Sequence, residues 1–172
     1  MENPQDTRKW SDLRGIAVVS LADGNKVGSI TDFSFDPTTF QVYAFRVKTG
    51  LFGHKILHVT DIRGIGQDAI TTHTAEAIQS ESEDSKLSSL PNGESLSSYK
   101  VMSASGTVVG SVGEVLLNTS NPSDVQITGV VLSGGLLQHL GVHSQTMIKT
   151  SDIHYGQHVL VIPDAVAQTL QG

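Results

Sequence analysis

The chain repeats itself. Val27-Gly28-Ser29-Ile30 recurs as Val109-Gly110-Ser111-Val112 at an offset of 82, and the same offset lays Gly24 on Gly106, Asp32 on Glu114 and Phe33 on Val115. The offset then grows: Val42 to Val47 falls on Ile127 to Leu132 at 85, Asp61-Ile62 on Asp152-Ile153 at 91, and Gly66-Gln67 on Gly156-Gln157 at 90. Such steps mark insertions in connecting loops, where copies of one supersecondary unit drift. Two copies within 172 residues leave each the size of a small domain that is only marginally stable alone.

Each copy reads as β-structure. Residues 16–21 and 99–103 form a first strand, followed by Asp23-Gly24 and Ser105-Gly106, where glycine supplies the positive φ of a tight hairpin turn. The next strand runs from Lys26 to Phe35, and its counterpart from Val108 to Leu117. Val27 and Ile30 are three apart, as are Val109 and Val112, so a strict period of two would put them on opposite faces. A bulge or sharp bend at Gly28 and Gly110 restores both to one interior and coils the sheet. Asp36-Pro37-Thr38-Thr39 is a turn signal leading into Gln41–Thr49, where Tyr43, Phe45 and Val47 alternate with Ala44, Arg46 and Lys48. Shorter strands follow at Lys55–Val59 and Ala69–Thr72, matched by Met147–Thr150 and Val159–Ile162. Thr74 and Asp164 are placed to cap one short helix after each unit, the second over Ala165–Leu170. The fold class is therefore all-β: two tandem small β-barrels, each followed by a short helix and each enclosing its own apolar interior.

Between the copies the apolar content falls. Thr74–Ser95 holds six Ser, five acids and one Lys, and so carries four of the six net negative charges of a chain with 11 Lys+Arg and 17 Asp+Glu. So little apolar surface in Gln79–Lys86 does not offset the entropy of ordering it, and a flexible linker is expected. The resulting domains are 11–78 for the first barrel, 79–95 for the acidic Ser-rich linker and 96–171 for the second barrel. The chain has no Cys, which excludes disulfides, thiolate zinc sites and thiol nucleophiles. Its polar acidic start and the lack of any apolar run of membrane-spanning length point to a soluble, cytoplasmic protein with no membrane span.

Leu13-Arg14-Gly15-Ile16-Ala17-Val18, then Asp23-Gly24, Val27-Gly28, Asp32 and Asp36-Pro37, resemble the opening of the PRC-barrel family, named for the photosynthetic reaction centre. His58-Val59-Thr60-Asp61-Ile62 and Ile65-Gly66-Gln67-Asp68-Ala69-Ile70 resemble its closing pattern. The likeness covers Ser11 to Thr72 well and the second copy, Leu96 to Ile162, more weakly. It implies a prokaryotic protein built from strongly bent barrels that serve as docking surfaces, and it brings no catalytic residues, since these motifs specify a fold rather than a chemistry.

The residues themselves support no stronger chemistry. His54/His58, His139/His143 and His154/His158 are each four apart, which on a helix would suit a metal. The first and third pairs fall on strand or strand-turn segments, where that spacing separates them by about 13 Å, and Gly141 inside the second argues against a helix, so no metal site and no cofactor is expected. Gly64-Ile65-Gly66 lacks the third glycine of a dinucleotide loop, and no nucleophile elbow occurs; an enzyme is not expected. Arg8, Lys9, Trp10 and Arg14 form the one basic cluster with an aromatic, the basis for an alternative reading as an RNA- or ribosome-associated maturation factor. The acidic balance opposes nucleic acid as a partner, and Trp10 is more simply placed over the mouth of the first barrel. Protein docking fits better at Leu51 and Phe52, and at Leu136 and Leu137, apolar pairs after a glycine in the loop following each long strand. The reading is thus a non-enzymatic protein-binding adaptor or scaffold, its partner another protein or a second copy of itself.

Overall fold

The computed structural model describes residues 6–51, 53–134 and 146–170. In chain order the strands are β1 (Thr7–Lys9), β2 (Ala17–Ser20), β3 (Lys26–Phe35), β4 (Val42–Thr49), β5 (Gly53–His58), β6 (Ile62–Ile65), β7 (Ala69–Thr72), β8 (Ile78–Ser80), β9 (Lys100–Ser103), β10 (Val108–Asn118), β11 (Gln126–Ser133), β12 (Met147–Lys149), β13 (His154–Tyr155) and β14 (Val159–Ile162). The short helices are α1 (Trp10–Leu13), α2 (Gly93–Leu96) and α3 (Asp164–Thr169). Among the described residues no helix is long and apolar enough to cross a membrane.

The duplication is visible in the strand order. One sheet runs β6-β7-β2-β3-β4-β5-β8 and the other β12-β11-β10-β9-β14-β13, so that β2, β3, β4, β5, β6 and β7 correspond to β9, β10, β11, β12, β13 and β14. Each sheet has a single parallel pair, β2 with β7 and β9 with β14. The bulges recur as well. In the first sheet the register slips at Val27 between β2 and β3 and at Thr31 between β3 and β4; in the second it slips at Val109 and at Gly113, their counterparts at offset 82. These extra residues return Ile30 and Val112 to the interior and bend the long strands. At Gly28 the bend is so tight that a Cβ would lie 2.4 Å from the Lys48 carbonyl oxygen.

Two findings depart from the sequence reading. The interiors are not separate: Phe35 of the first sheet meets Tyr155 of the second edge to face at 5.8 Å, and one continuous core runs through both units. The polar segment expected to be flexible is laid against the first unit, with β8 pairing along β5 and Glu81 bridging to Arg46 at 2.7 Å. The expected caps also differ. A 3-10 turn, Ala75–Ala77, stands where the first helix was expected, and the Thr74 side chain makes no cap bond. Asp164 opens α3 but gives its carboxylate to the Ser105 N–H at 2.9 Å, tying the helix to the β9–β10 turn.

The units meet about a local two-fold axis. Gln41 bridges Gln126, its own equivalent at offset 85. The Val42 N–H donates to Val125 O and the Ile127 N–H to Phe40 O, both at 2.8 Å, which is one bond seen twice across the axis. Phe40 adopts φ 60, a left-handed conformation rare for a side chain of this size, while its ring stays buried against Phe35. Further out, Lys9 of β1 pairs with Leu116 of β10, and Asn92 just before α2 pairs with Ser34 of β3. Each unit is therefore preceded by a short helix that docks on the other.

The acids aligned in the sequence, Asp32 and Glu114, hold these helices. Asp32 Oδ1 accepts from the N–H groups of Phe33 at 2.8 Å and Glu94 at 3.1 Å; Glu114 Oε1 accepts from those of Val115 and Ser11, both at 3.1 Å. Asp32 is 7% exposed, and burial raises its pKa from the ordinary value of 3.8 even though both backbone bonds pull it down.

Candidate functional site

The β4–β5 hairpin carries the most exposed large apolar side chain among the described residues. Thr49 pairs with Gly53 at its neck, where a Cβ on residue 53 would collide with the Thr49 carbonyl, and Gly50 turns the chain at φ 64. This leaves Leu51 at the tip, 85% exposed. Phe52, Leu136 and Leu137, the other expected docking residues, lie outside the described residues, as do His139 and His143. Three exposed apolar side chains were not singled out from the sequence: Leu21, Val108 and Met147. Nothing in their spacing marks them, since each stands in or beside a strand whose alternation would also suit a buried face.

The four residues of the basic cluster do not share one surface role. Arg8 donates from Nη1 to the Gly66 carbonyl at 2.8 Å, while Lys9 and Arg14 are exposed. Trp10 is 8% exposed and packs edge-on against Phe33 at 4.8 Å and stacked on Phe45 at 6.5 Å. Its ring belongs to the core of the first unit, in line with the reading that placed it over that barrel.

The densest polar constellation was not legible in the sequence. Tyr43 of β4 donates its hydroxyl to Asp84 Oδ2 at 2.6 Å, and His58 Nε2 meets the same oxygen at 2.6 Å. Asp84 Oδ1 accepts from the Lys86 N–H at 3.0 Å, and the Lys86 ammonium sits 4.9 Å from the centre of the Tyr43 ring. The hydrogen bond from Tyr43, with that from His58, holds the Asp84 carboxyl down at about 2, and the same bond to Asp84 pushes the Tyr43 phenol up to about 12. Oδ2 holds the segment on the sheet, while Oδ1 closes a turn within the segment itself. Tyr43 and Asp84 are 41 positions apart, so no spacing rule could have joined them.

The segment lies between two open clefts. One, of about 320 Å³, is bordered by Arg46, Ile56, Glu81, Asp84 and Leu87. The other, of about 240 Å³, is bordered by Gln41, Tyr43, His58, Lys86 and, from the second unit, Ser123. Among the described residues no group of three or more His, Asp or Glu is placed to hold a metal ion.

Residues 5–78 match the model of the PRC-barrel domain family. The match covers β1 through the start of β8 and ends before the second unit, whose kinship with the first rests on the repeated strand order and bulges. No curated protein matches the chain.

Proposed function

Because residues 5–78 carry a PRC-barrel domain, a small β-barrel module, we propose that the chain is a non-enzymatic protein-binding adaptor or scaffold of the cytoplasm. The observation that carries this reading is Leu51, held out at the tip of a hairpin whose neck is tightly constrained. An apolar side chain at such a tip enters a partner's pocket with little backbone reordering, because the hairpin already presents it. The docking of each helix on the other unit supports a scaffold, since it fixes one barrel relative to the other. Tyr43, His58 and Asp84 spend their mutual hydrogen bonds on fastening the polar segment to β4 and β5, which fits a structural role for the three.

The test is a comparison of the wild-type chain with a variant carrying Leu51→Ser and Phe52→Ser, and a second carrying Leu136→Ser and Leu137→Ser. Affinity capture followed by mass spectrometry reads partners, and light scattering behind a sizing column reads self-association. The reading expects proteins held by the wild type, or its own dimer, to be lost from at least one variant while the circular dichroism and Tm are kept. Capture and mass unchanged in both variants would remove the loops as docking sites.

A further inference from the structure

The two units differ at one sheet edge. In the first, β5 has β4 on one side and β8 on the other, with Ile56 opposite Gln79 and Leu57 opposite Ile78, and Ile56 is 1% exposed. In the second, β11 pairs with β12 through Gly129–Lys149, Val130–Ile148 and Val131–Met147, which sets Met147, Ile148 and Lys149 where Ile56, Leu57 and His58 stand. Among the described residues no strand pairs the outer edge of β12, and Met147 is 48% exposed. The stretch that follows β14 forms α3, tied to Ser105 instead of returning along β12 as β8 does along β5.

Beside this edge is a hollow of about 330 Å³ lined by Thr7, Thr128, Met147, Lys149, Thr150 and Ser151. Thr128 and Lys149 hold the positions of Tyr43 and His58, the two groups that receive Asp84 in the first unit. Lys149 is exposed and, among the described residues, has no carboxylate within ion-pair distance. The equivalent edge of the first unit accepts an extended strand with an apolar residue on the sheet and, a few residues later, a carboxylate.

We propose that the outer edge of β12 binds an extended acidic segment of a partner polypeptide, added as an antiparallel strand with an apolar side chain opposite Ile148, as Ile78 stands opposite Leu57, and a carboxylate at Lys149. Main-chain hydrogen bonds along a free edge supply the attachment in such an addition, and the flanking side chains supply the selection. Lys149 selects for acid by charge, as its hydroxyl neighbours favour a carboxylate over an apolar residue. The inference rests on the reading of the chain as a protein-binding module but uses a surface other than the hairpin tips.

The probe is a fluorescein-labelled peptide with the sequence of residues 75–90 of this chain, titrated into the intact protein. Polarisation should show saturable binding, and amide resonances of Met147, Ile148 and Lys149 should shift. Lys149→Glu should weaken binding about threefold to tenfold, the swing expected when an exposed ion pair becomes a repulsion. A peptide with lysine in place of Asp84 should recover the loss on that variant. No saturable binding up to millimolar peptide, equal binding to Lys149→Glu, or shifts confined to the surroundings of Tyr43 and His58 would each overturn the proposal. Loss of captured partners in the Leu51 variants with peptide binding intact would support the tips and the edge separately. Peptide binding with capture unchanged would leave the edge standing and the tips refuted.

Discussion

Replacing Asp32 with alanine attacks the contact between the units at a buried carboxylate. Asp32 Oδ1 accepts two N–H groups, from Phe33 within its own strand and from Glu94 at the start of α2. Leaving a buried donor without a partner costs about 1–3 kcal/mol, while the Asn92 cap of α2, which accepts from the Ser95 N–H, is kept. Against this, the variant no longer buries a carboxylate, whose desolvation already raises its pKa. The net loss should be about 1–3 kcal/mol, which for a chain of 172 residues lowers Tm by about 3–10 °C. Asp32→Asn keeps an oxygen at the same place and should stay within about 1 kcal/mol of the wild type. Their pH dependence separates charge from hydrogen bonding. A carboxyl whose folded pKa is raised binds its proton more readily in the folded state, so stability falls as pH rises from 3.8 through the folded value. The wild type should therefore lose stability relative to Asp32→Asn across that window. Urea titrations followed by tryptophan fluorescence measure all three proteins, since the single Trp10 lies against Phe33 next to the site. An Asp32→Ala protein within about 0.5 kcal/mol of wild type would refute the argument that this carboxylate holds the first turn of α2 across the interface through the Glu94 N–H.

Two further perturbations probe the same architecture. Gly93→Ala would drive a Cβ into the Phe33 ring, which is 1% exposed, so a loss of about 1–3 kcal/mol is expected in chemical denaturation. Asp84→Asn tests the hold on the polar segment. Its carboxyl is held at about 2, so the stability it adds is present above 3.8 and disappears as pH falls from there to about 2. The wild type should show that acid-side loss in a pH series of melting curves, and the variant should not.

The strands were legible because their signals are local. Lys26–Phe35 and Ala69–Thr72 emerge at the bounds read from alternation and glycine turns, and the three-residue spacing of Val27 and Ile30 announced a bulge that occurs at Val27. What the chain does over long distances was not legible. The offset of 82 put Asp32 on Glu114, yet nothing local says that each would hold the helix preceding the other unit. The polar segment looked unfoldable because its own side chains bury little, while the surface that orders it belongs to Tyr43, Arg46 and His58. Composition measures what a segment brings to a contact and is blind to what waits for it. Of the docking residues only Leu51 falls among those described, and there exposure agrees with a loop apolar residue free of the core.

The central claim is that the two units share one core and pair with each other about a local two-fold axis. Residual dipolar couplings of backbone amides, fitted separately for residues 16–72 and 99–162 in weakly aligned medium, test it most directly. The account predicts alignment tensors of equal magnitude and a common frame when both units are placed in their paired orientation. Tensors that differ in magnitude, or frames that disagree beyond the fitting error, would show barrels moving independently and would contradict it.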